Sequence, residues 1–316
     1  MAEKEFFQEL REEVAAIFTP ITPLVVSSTT TVPNVEDTGF TLAAGEGHKA
    51  KTIKTCVLFI DIRNSTQLNF KHSNEELAKL YSAFIVTMLR AAEYYGGYVR
   101  NINGDRVMVV FDEATCFLNA LKTATLLNTV AQHLLDAYFK GDTIACGIGI
   151  DYGSMLVVKT GTVKRGKENQ FYKSFVWLGK PANLASKLTD LANKETYLVR
   201  IVRRVLTLKL NGFGVGDVFD YRTGTNDITP DEFLASLTKS NAQAEVQHGG
   251  LLVYSWSNIA LKKHAILLTQ EVYEGLVATA PTSDFIVKKL IEPSGVKVKG
   301  YTRQVFGTSA FYPTIV

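Results

Sequence analysis

The order of elements between Lys54 and Val158 constrains the fold more than any other feature of the chain. The apolar run Thr55–Ile60, bounded by polar residues, predicts a buried strand over 54–62. A polar turn, Arg63 to Thr66, follows it. Ser73 and Glu76 have the spacing of a capping box, and Leu77, Leu80, Tyr81, Phe84, Ile85, Met88 and Leu89 continue as the apolar stripe of a long helix. Gly96 and Gly97 stop that helix. Strands over 98–102 and 106–111 enclose Asn103-Gly104-Asp105 and predict a β-hairpin. A second helix is predicted over 113–138. A second hairpin is then predicted, 144–150 and 155–158, turning at Asp151-Tyr152-Gly153. The order β-α-β-β-α-β is the split βαβ, or ferredoxin-like, arrangement of the α/β (α+β) class.

The flanks read differently. Phe6, Phe7, Leu10, Val14, Ile17 and Phe18 recur at helical spacing up to Pro20, which ends the helix. That helix either packs on its own domain or grips a partner subunit. Residues 19–50 are rich in Thr, Ser, Pro and Gly and read as an irregular arm. Residues 1–50 are therefore set apart from a main domain over 51–316. Beyond the second hairpin come a basic loop with Lys164, Arg165 and Lys167, a strand over 171–178 and a helix over 181–191. Residues 195–262 break the rhythm. They contain Gly212, Gly214 and Gly216, a short helix opened by Thr229-Pro230-Asp231-Glu232 and a polar stretch over 240–250, and they read as an insertion. From Ile266 the pattern of strand, helix (269–277) and strand resumes.

Composition narrows the function classes. Lysine plus arginine number 34 against 31 acidic residues, a net charge of +3 that gives no field for nucleic acid. Cys56, Cys116 and Cys146 are far apart and form neither a disulfide framework nor a zinc spacing, as expected of a reduced compartment. No apolar run reaches the ~20 residues that span a bilayer. The acidic start has no apolar signal core. The expectation is a cytoplasmic protein, away from membranes, with free nucleotides at hand. The histidines are scattered, the 212–216 glycines do not fit a dinucleotide loop, and no Walker A lysine loop is present.

Three groups of residues can carry chemistry. Asp61 ends a buried strand and Asp105 sits in a hairpin turn that the split βαβ topology can bring to that strand end. Singly, each reads as a helix cap or a turn residue. Together they would repel unless a divalent cation lay between them. The turn 62–66 offers backbone amides, with the hydroxyls of Ser65 and Thr66, to phosphate oxygens. Asn183 and Lys187 are four apart and share a helix face, where an amide and a cation can hold a sugar oxygen and a phosphate, or simply be solvated.

These motifs, in this order, resemble the class III nucleotidyl cyclase catalytic domain. Val57-Leu-Phe-Ile-Asp61-Ile-Arg-Asn-Ser-Thr66 and Gly96-Gly-Tyr-Val-Arg-Asn-Ile-Asn-Gly-Asp105 resemble its two metal-aspartate segments. Gly147-Ile-Gly-Ile-Asp-Tyr-Gly153 resembles its next hairpin. Leu178-Gly-Lys-Pro-Ala-Asn183-Leu-Ala-Ser-Lys187 resembles the helix that carries a ribose-binding asparagine and a transition-state arginine, and Val298-Lys299-Gly300 the late phosphate-binding lysine. The resemblance covers about 52–194 and 264–306.

Three positions depart from the purine cyclases. Asn101 stands where they keep a base-reading Lys or Glu, Val176 where they keep an Asp, Thr or Cys, and Lys187 where they keep arginine. In these respects, and in Val32-Pro33-Asn34-Val35-Glu36-Asp37 of the arm, the chain is similar to the pyrimidine cyclases of the Pycsar antiphage system. The resemblance implies two Mn²⁺ or Mg²⁺ ions per site held by Asp61, Asp105 and the Ile62 carbonyl. It also implies a nucleoside triphosphate substrate, a head-to-tail homodimer with shared sites, and a separate effector that reads the cyclic product. Asn101 has both a carbonyl acceptor and an amide donor, so one flip serves uracil or cytosine. Val176 or Phe59 can fill the space a purine would take. UTP, giving 3′,5′-cyclic UMP, is favoured over CTP because uridylate cyclases are the commoner members of that group. Two other classes share parts of the pattern: a catalytically dead cyclase-like module, and a palm-type polymerase or cyclic-dinucleotide synthase. The retained aspartates speak against the first. The Asn183/Lys187 helix and the lack of a GG-D/E-E-F hairpin speak against the second.

Overall fold

A computed structural model of the chain describes residues 3–18, 24–34, 36–40, 49–139, 143–161, 163–164, 167–168, 174–209, 218–239 and 250–315. Pro20, Arg165, Gly212, Gly214, Gly216 and the polar stretch 240–249 lie outside the described residues. The strands are β1 (Val25–Thr29), β2 (Lys49–Ile62), β3 (Gly97–Asn103), β4 (Arg106–Phe111), β5 (Cys146–Thr160), β6 (Val163–Lys164), β7 (Lys167–Glu168), β8 (Ser174–Leu178), β9 (Tyr197–Lys209), β10 (Val218–Ile228), β11 (Gly250–Ala260), β12 (Ile266–Thr269), β13 (Glu292–Pro293) and β14 (Val305–Thr308). The helices are α1 (Glu3–Phe18), α2 (Ser65–Lys71), α3 (Asn74–Tyr94), α4 (Cys116–Thr129), α5 (Asp136–Tyr138), α6 (Lys180–Leu191), α7 (Pro230–Lys239), α8 (Gln270–Thr279) and α9 (Asp284–Val287).

The main sheet runs β13-β14-β12-β5-β2-β4-β3, with β1 on β2 and β8 on β5. Its centre, β5-β2-β4-β3, is antiparallel throughout. That is the ferredoxin-like order, with the first strand beside the return strand of the hairpin. Alternation along β2 explains the layers. Cys56, Leu58, Ile60 and Ile62 face a core shared with α3, α4 and α8, where Phe84, Met88, Leu121, Leu127 and Leu276 are also buried. Ile53 and Val57 face the other side, with Met108 and Met155, under α6 and the arm residues Val32 and Phe40. Each fully buried Leu, Ile or Phe stabilises this sandwich by roughly 1.5–3 kcal/mol.

Helix α3 starts where the capping signal placed it. The Ser73 hydroxyl accepts from the Glu76 amide at 3.3 Å, and the Ser73 amide donates to Glu76 Oε2 at 2.9 Å. These bonds hold the Glu76 carboxyl below its usual range. The helix ends at Tyr94, and Gly96 just past its C-cap has a φ of 69° that suits glycine. The predicted second helix is observed as α4 running through a π-helical segment, Val130–Leu135, into α5.

Several sequence expectations need correction. No turn occurs at Asp151-Tyr152-Gly153. β5 is one strand, paired with β2 without a break from Ile62–Cys146 to Lys51–Val157. Continuous ladder bonding outweighs the local turn signal, and Gly153 serves contact instead, because a Cβ there would lie 2.9 Å from Pro181. The arm is not wholly irregular: β1 pairs in parallel with the start of β2, which begins at Lys49. The turn before α3 holds the short helix α2. Residues 197–209, 218–228 and 250–260 form a separate three-stranded sheet, β10-β9-β11. Beside it α7 is capped by Thr229, whose hydroxyl accepts from the Glu232 amide at 3.2 Å.

Candidate active site

Asp61 is the penultimate residue of β2 and Asp105 the second residue of the two-residue loop between Asn103 and Arg106. Gly104, with φ 61°, supplies the left-handed first position of that loop. The topology brings the two carboxyls together. Burial pushes the Asp105 carboxyl up from its ordinary range, the Asp61 charge adds to this, and the Ser65 hydroxyl opposes it. Asp105 Oδ2 is buried and has no hydrogen-bond partner. A carboxyl pair with one buried, unsatisfied oxygen fits a divalent cation, which favours oxygen ligands. Ile62 has its side chain in the core, so only its backbone carbonyl can join them. Among the described residues no three His, Cys, Asp or Glu side chains gather into a metal cluster. Two carboxylates and a carbonyl are a sparser set than that.

Two arginines reach the same carboxylate. Arg106 Nη2 donates to Asp61 Oδ2 at 2.6 Å and Arg63 Nη2 to the same oxygen at 3.4 Å. Neither arginine is among the site residues expected above from the sequence. Arg106 is one step past the Ile60–Val107 pair and so stands across from Asp61, while Arg63 lies only two residues beyond Asp61 in the chain.

Helix α6 approaches β5 closely because Gly147, Gly149 and Gly153 leave room for it. A Cβ at Gly149 would lie 2.2 Å from the Ala185 carbonyl. Leu188 and Thr189 are buried on this helix, while Asn183 and Lys187 are exposed. Lys187 Nζ donates to the Lys299 carbonyl at 3.0 Å, so two of the expected phosphate-binding residues meet. Ser186 and Asp190, on the side of α6 toward β4, accept from Arg106 instead.

Asn101 and Val176, the positions expected to read the base, lie on β3 and β8. The β3–β4 ladder shifts register between Val99 and Asn101, so that Asn101 rather than Arg100 opposes Met108. Met108 belongs to the cluster on the α6 side, with Phe59, Phe175 and Trp177. The bulge thus gives Asn101 that face, a device common beside functional sites. Val176 opposes Val158 and is 39% exposed, while its neighbours Phe175 and Trp177 turn to the cluster. Phe59 is held in that cluster, and its carbonyl accepts from Thr189 at 3.2 Å. Ser65, half-buried, opens α2 beside Asp105, and Thr66 is exposed.

Residues 48–217 match the adenylate and guanylate cyclase catalytic domain. A uridylate cyclase of Xanthomonas perforans is 31% identical over 177 residues, 54% of this chain and 72% of its own length. A uridylate cyclase of Burkholderia cepacia is 30% identical over 191 residues, 58% of this chain and 78% of its own. A cytidylate cyclase of Staphylococcus aureus is 28% identical over 106 residues, 31% of this chain and 25% of its own.

Proposed function

The chain belongs to the adenylate and guanylate cyclase catalytic-domain family, and on that premise we propose that it cyclises a pyrimidine nucleoside triphosphate, UTP before CTP, to the 3′,5′-cyclic monophosphate and diphosphate. The observation that carries this reading is the facing pair Asp61 and Asp105, with a buried, unsatisfied oxygen on Asp105. The similarity to uridylate cyclases supports the choice of base.

Asp61, Asp105 and the Ile62 carbonyl would hold two Mn²⁺ or Mg²⁺ ions. Such ions, when bound, acidify a ribose 3′-hydroxyl and neutralise phosphate charge. Ser65, Thr66 and the turn amides face the triphosphate, and Lys299 holds it from the other side. Asn183 orients the ribose. The 3′-oxygen attacks the α-phosphorus in line, and diphosphate leaves. Lys187 neutralises the charge that builds on the phosphate, as a point charge without the bidentate fork of arginine. Asn101 reads the base edge, and Val176 or Phe59 fills the space a purine would take.

The sites are shared in a head-to-tail homodimer. In one chain the Lys187 ammonium turns to Lys299 while the carboxyl pair sits at the ends of β2 and β3. The resemblance to class III cyclases supports a site whose metal half and helix half come from different subunits. The cyclic product is a second messenger for antiviral defence, read by a separate effector. Among the described residues no helix is long and apolar enough to cross a membrane. Residues 195–262 are an insertion in the catalytic domain 51–316, and 1–50 an arm.

Incubation with all four nucleoside triphosphates and Mn²⁺, followed by mass spectrometry, tests the reading. Cyclic UMP as the main product is expected. Linear dinucleotides would point to polymerase chemistry, and no turnover to a regulatory module.

A further inference from the structure

Arg106 has no part in the reaction as described, yet its guanidinium is the most connected group at the site. Nη2 donates to Asp61 Oδ2 at 2.6 Å and to Asp190 Oδ1 at 2.5 Å, and Nη1 donates to Ser186 Oγ at 2.8 Å. One planar fork therefore binds a carboxylate of β2 and two residues of α6. Ser186 is the immediate neighbour of Lys187, and Asp190 lies one turn away from it. Arg63 backs the arrangement. It is 8% exposed, and it donates to Asp61 Oδ2 at 3.4 Å and to the Asp190 carbonyl at 3.3 Å.

We propose that Arg106 is a positioning residue that locks α6, and with it Asn183 and Lys187, to the strand end carrying Asp61, while its charge restrains the affinity of Asp61 for a divalent cation. The proposal rests on the cyclase reading above. In a shared-site dimer, the carboxylate and the helix that Arg106 joins serve two different sites. The residue then couples them within one chain.

The two roles predict effects of opposite sign. A guanidinium beside a carboxylate lowers the negative potential that a cation meets, so Arg106→Gln should tighten Mn²⁺ binding by about tenfold. The same variant loosens the Ser186–Asp190 end of α6, and misplacing Asn183 and Lys187 should lower kcat on the order of tenfold to a hundredfold. Arg106→Lys keeps the charge without the fork, so Mn²⁺ affinity should stay near wild type while kcat falls. Ser186→Ala leaves the Asp61–Arg106 pair in place and should lower kcat alone.

The experiment is calorimetric titration of the nucleotide-free full chain with Mn²⁺, together with kcat and KM for UTP, on wild type and the three variants. Tighter Mn²⁺ with slower turnover in Arg106→Gln supports the proposal. Weaker Mn²⁺ binding in step with a lower kcat overturns it, because that is the mark of a residue that only props the fold. Should Arg106→Gln fail to fold, the other two decide: a loss of kcat with Mn²⁺ affinity unchanged supports the proposal, and full kcat in both overturns it. A wild-type chain that turns over no nucleotide sinks the cyclase reading and the proposal with it, an outcome distinct from an active wild type whose variants behave like it.

Discussion

Asn101 opposes Met108 across the β3–β4 ladder because β3 bulges at Arg100. In a regular ladder Arg100 would hold that place and Asn101 would turn to the α3–α4 side, where Val99 packs. An asparagine aimed at a base offers one donor and one acceptor, and a buried mispaired edge leaves both unsatisfied. The amide can pair with either pyrimidine, and the similarity to uridylate cyclases favours UTP over CTP, with ATP and GTP expected to be poor. Asn101→Ala should cost roughly 1–3 kcal/mol of UTP-over-CTP discrimination, about five- to a hundredfold in the ratio of kcat/KM. Competition assays with both substrates check this, and cyclic AMP or cyclic GMP as the main product would refute the pyrimidine assignment.

The Asp61–Asp105 pair yields a prediction in which stability and activity move apart. Burial and the neighbouring charge raise the Asp105 carboxyl, so its ionised form works against folding in the cation-free chain. In that chain, stability falls as pH rises through the raised pKa. Asp105→Asn removes the charge and should raise the melting temperature of the cation-free protein while abolishing Mn²⁺-dependent turnover. Asp61→Asn should also abolish turnover with the fold kept. Normal turnover in either variant would refute the metal role.

The core of the fold and the carboxyl pair were legible in the sequence because they rest on period and order. The capping box of Ser73, the apolar stripe of α3 and the hairpin around Gly104 are local signals, and each is observed. What was not legible depends on pairing over distance. The turn residues Asp151-Tyr152-Gly153 lie inside a continuous strand because β2 pairs with it without a break from Cys146 to Val157. The parallel strand β1 carries no pattern of its own and exists by pairing with Lys49–Ile53. The bulge at Arg100 is set by the β4 register, and the Arg106 fork by contact with a helix about eighty residues later. Neither leaves a trace in local composition.

Assembly can be tested by complementation. Asn183 and Lys187 are exposed on α6, and Lys187 turns to Lys299 rather than toward Asp61. If sites are shared, mixing inactive Asp105→Ala chains, which keep the Asp61–Arg106 pair, with inactive Asn183→Ala chains should restore up to half of the wild-type activity per mixed dimer, because one of its two sites then carries neither lesion. Failure to complement, with subunit exchange shown by a tag-capture assay, would place the whole site in one chain.

Asp151 lies apart from the carboxyl pair, on β5, where it opposes Val57 of β2. It is 4% exposed, and burial pushes its carboxyl up to about 6 from an ordinary 3.8. The Thr269 hydroxyl, donating at 2.6 Å, and the Tyr152 amide pull it down without offsetting that burial. The folded chain thus keeps a proton that the unfolded chain releases near its ordinary pKa. Between these values the folded state binds more protons, so stability falls as pH rises, and the full cost is reached above pH about 6. At one pH unit per ~1.4 kcal/mol, that cost is about 2–3 kcal/mol. Asp151→Asn keeps an oxygen to accept from Thr269 and loses the charge. Its melting temperature should exceed that of wild type at pH 8 and converge with it at about pH 4, as thermal unfolding across pH would record. A constant difference at all pH values would mean that the carboxyl titrates normally and that the substitution acts through packing alone.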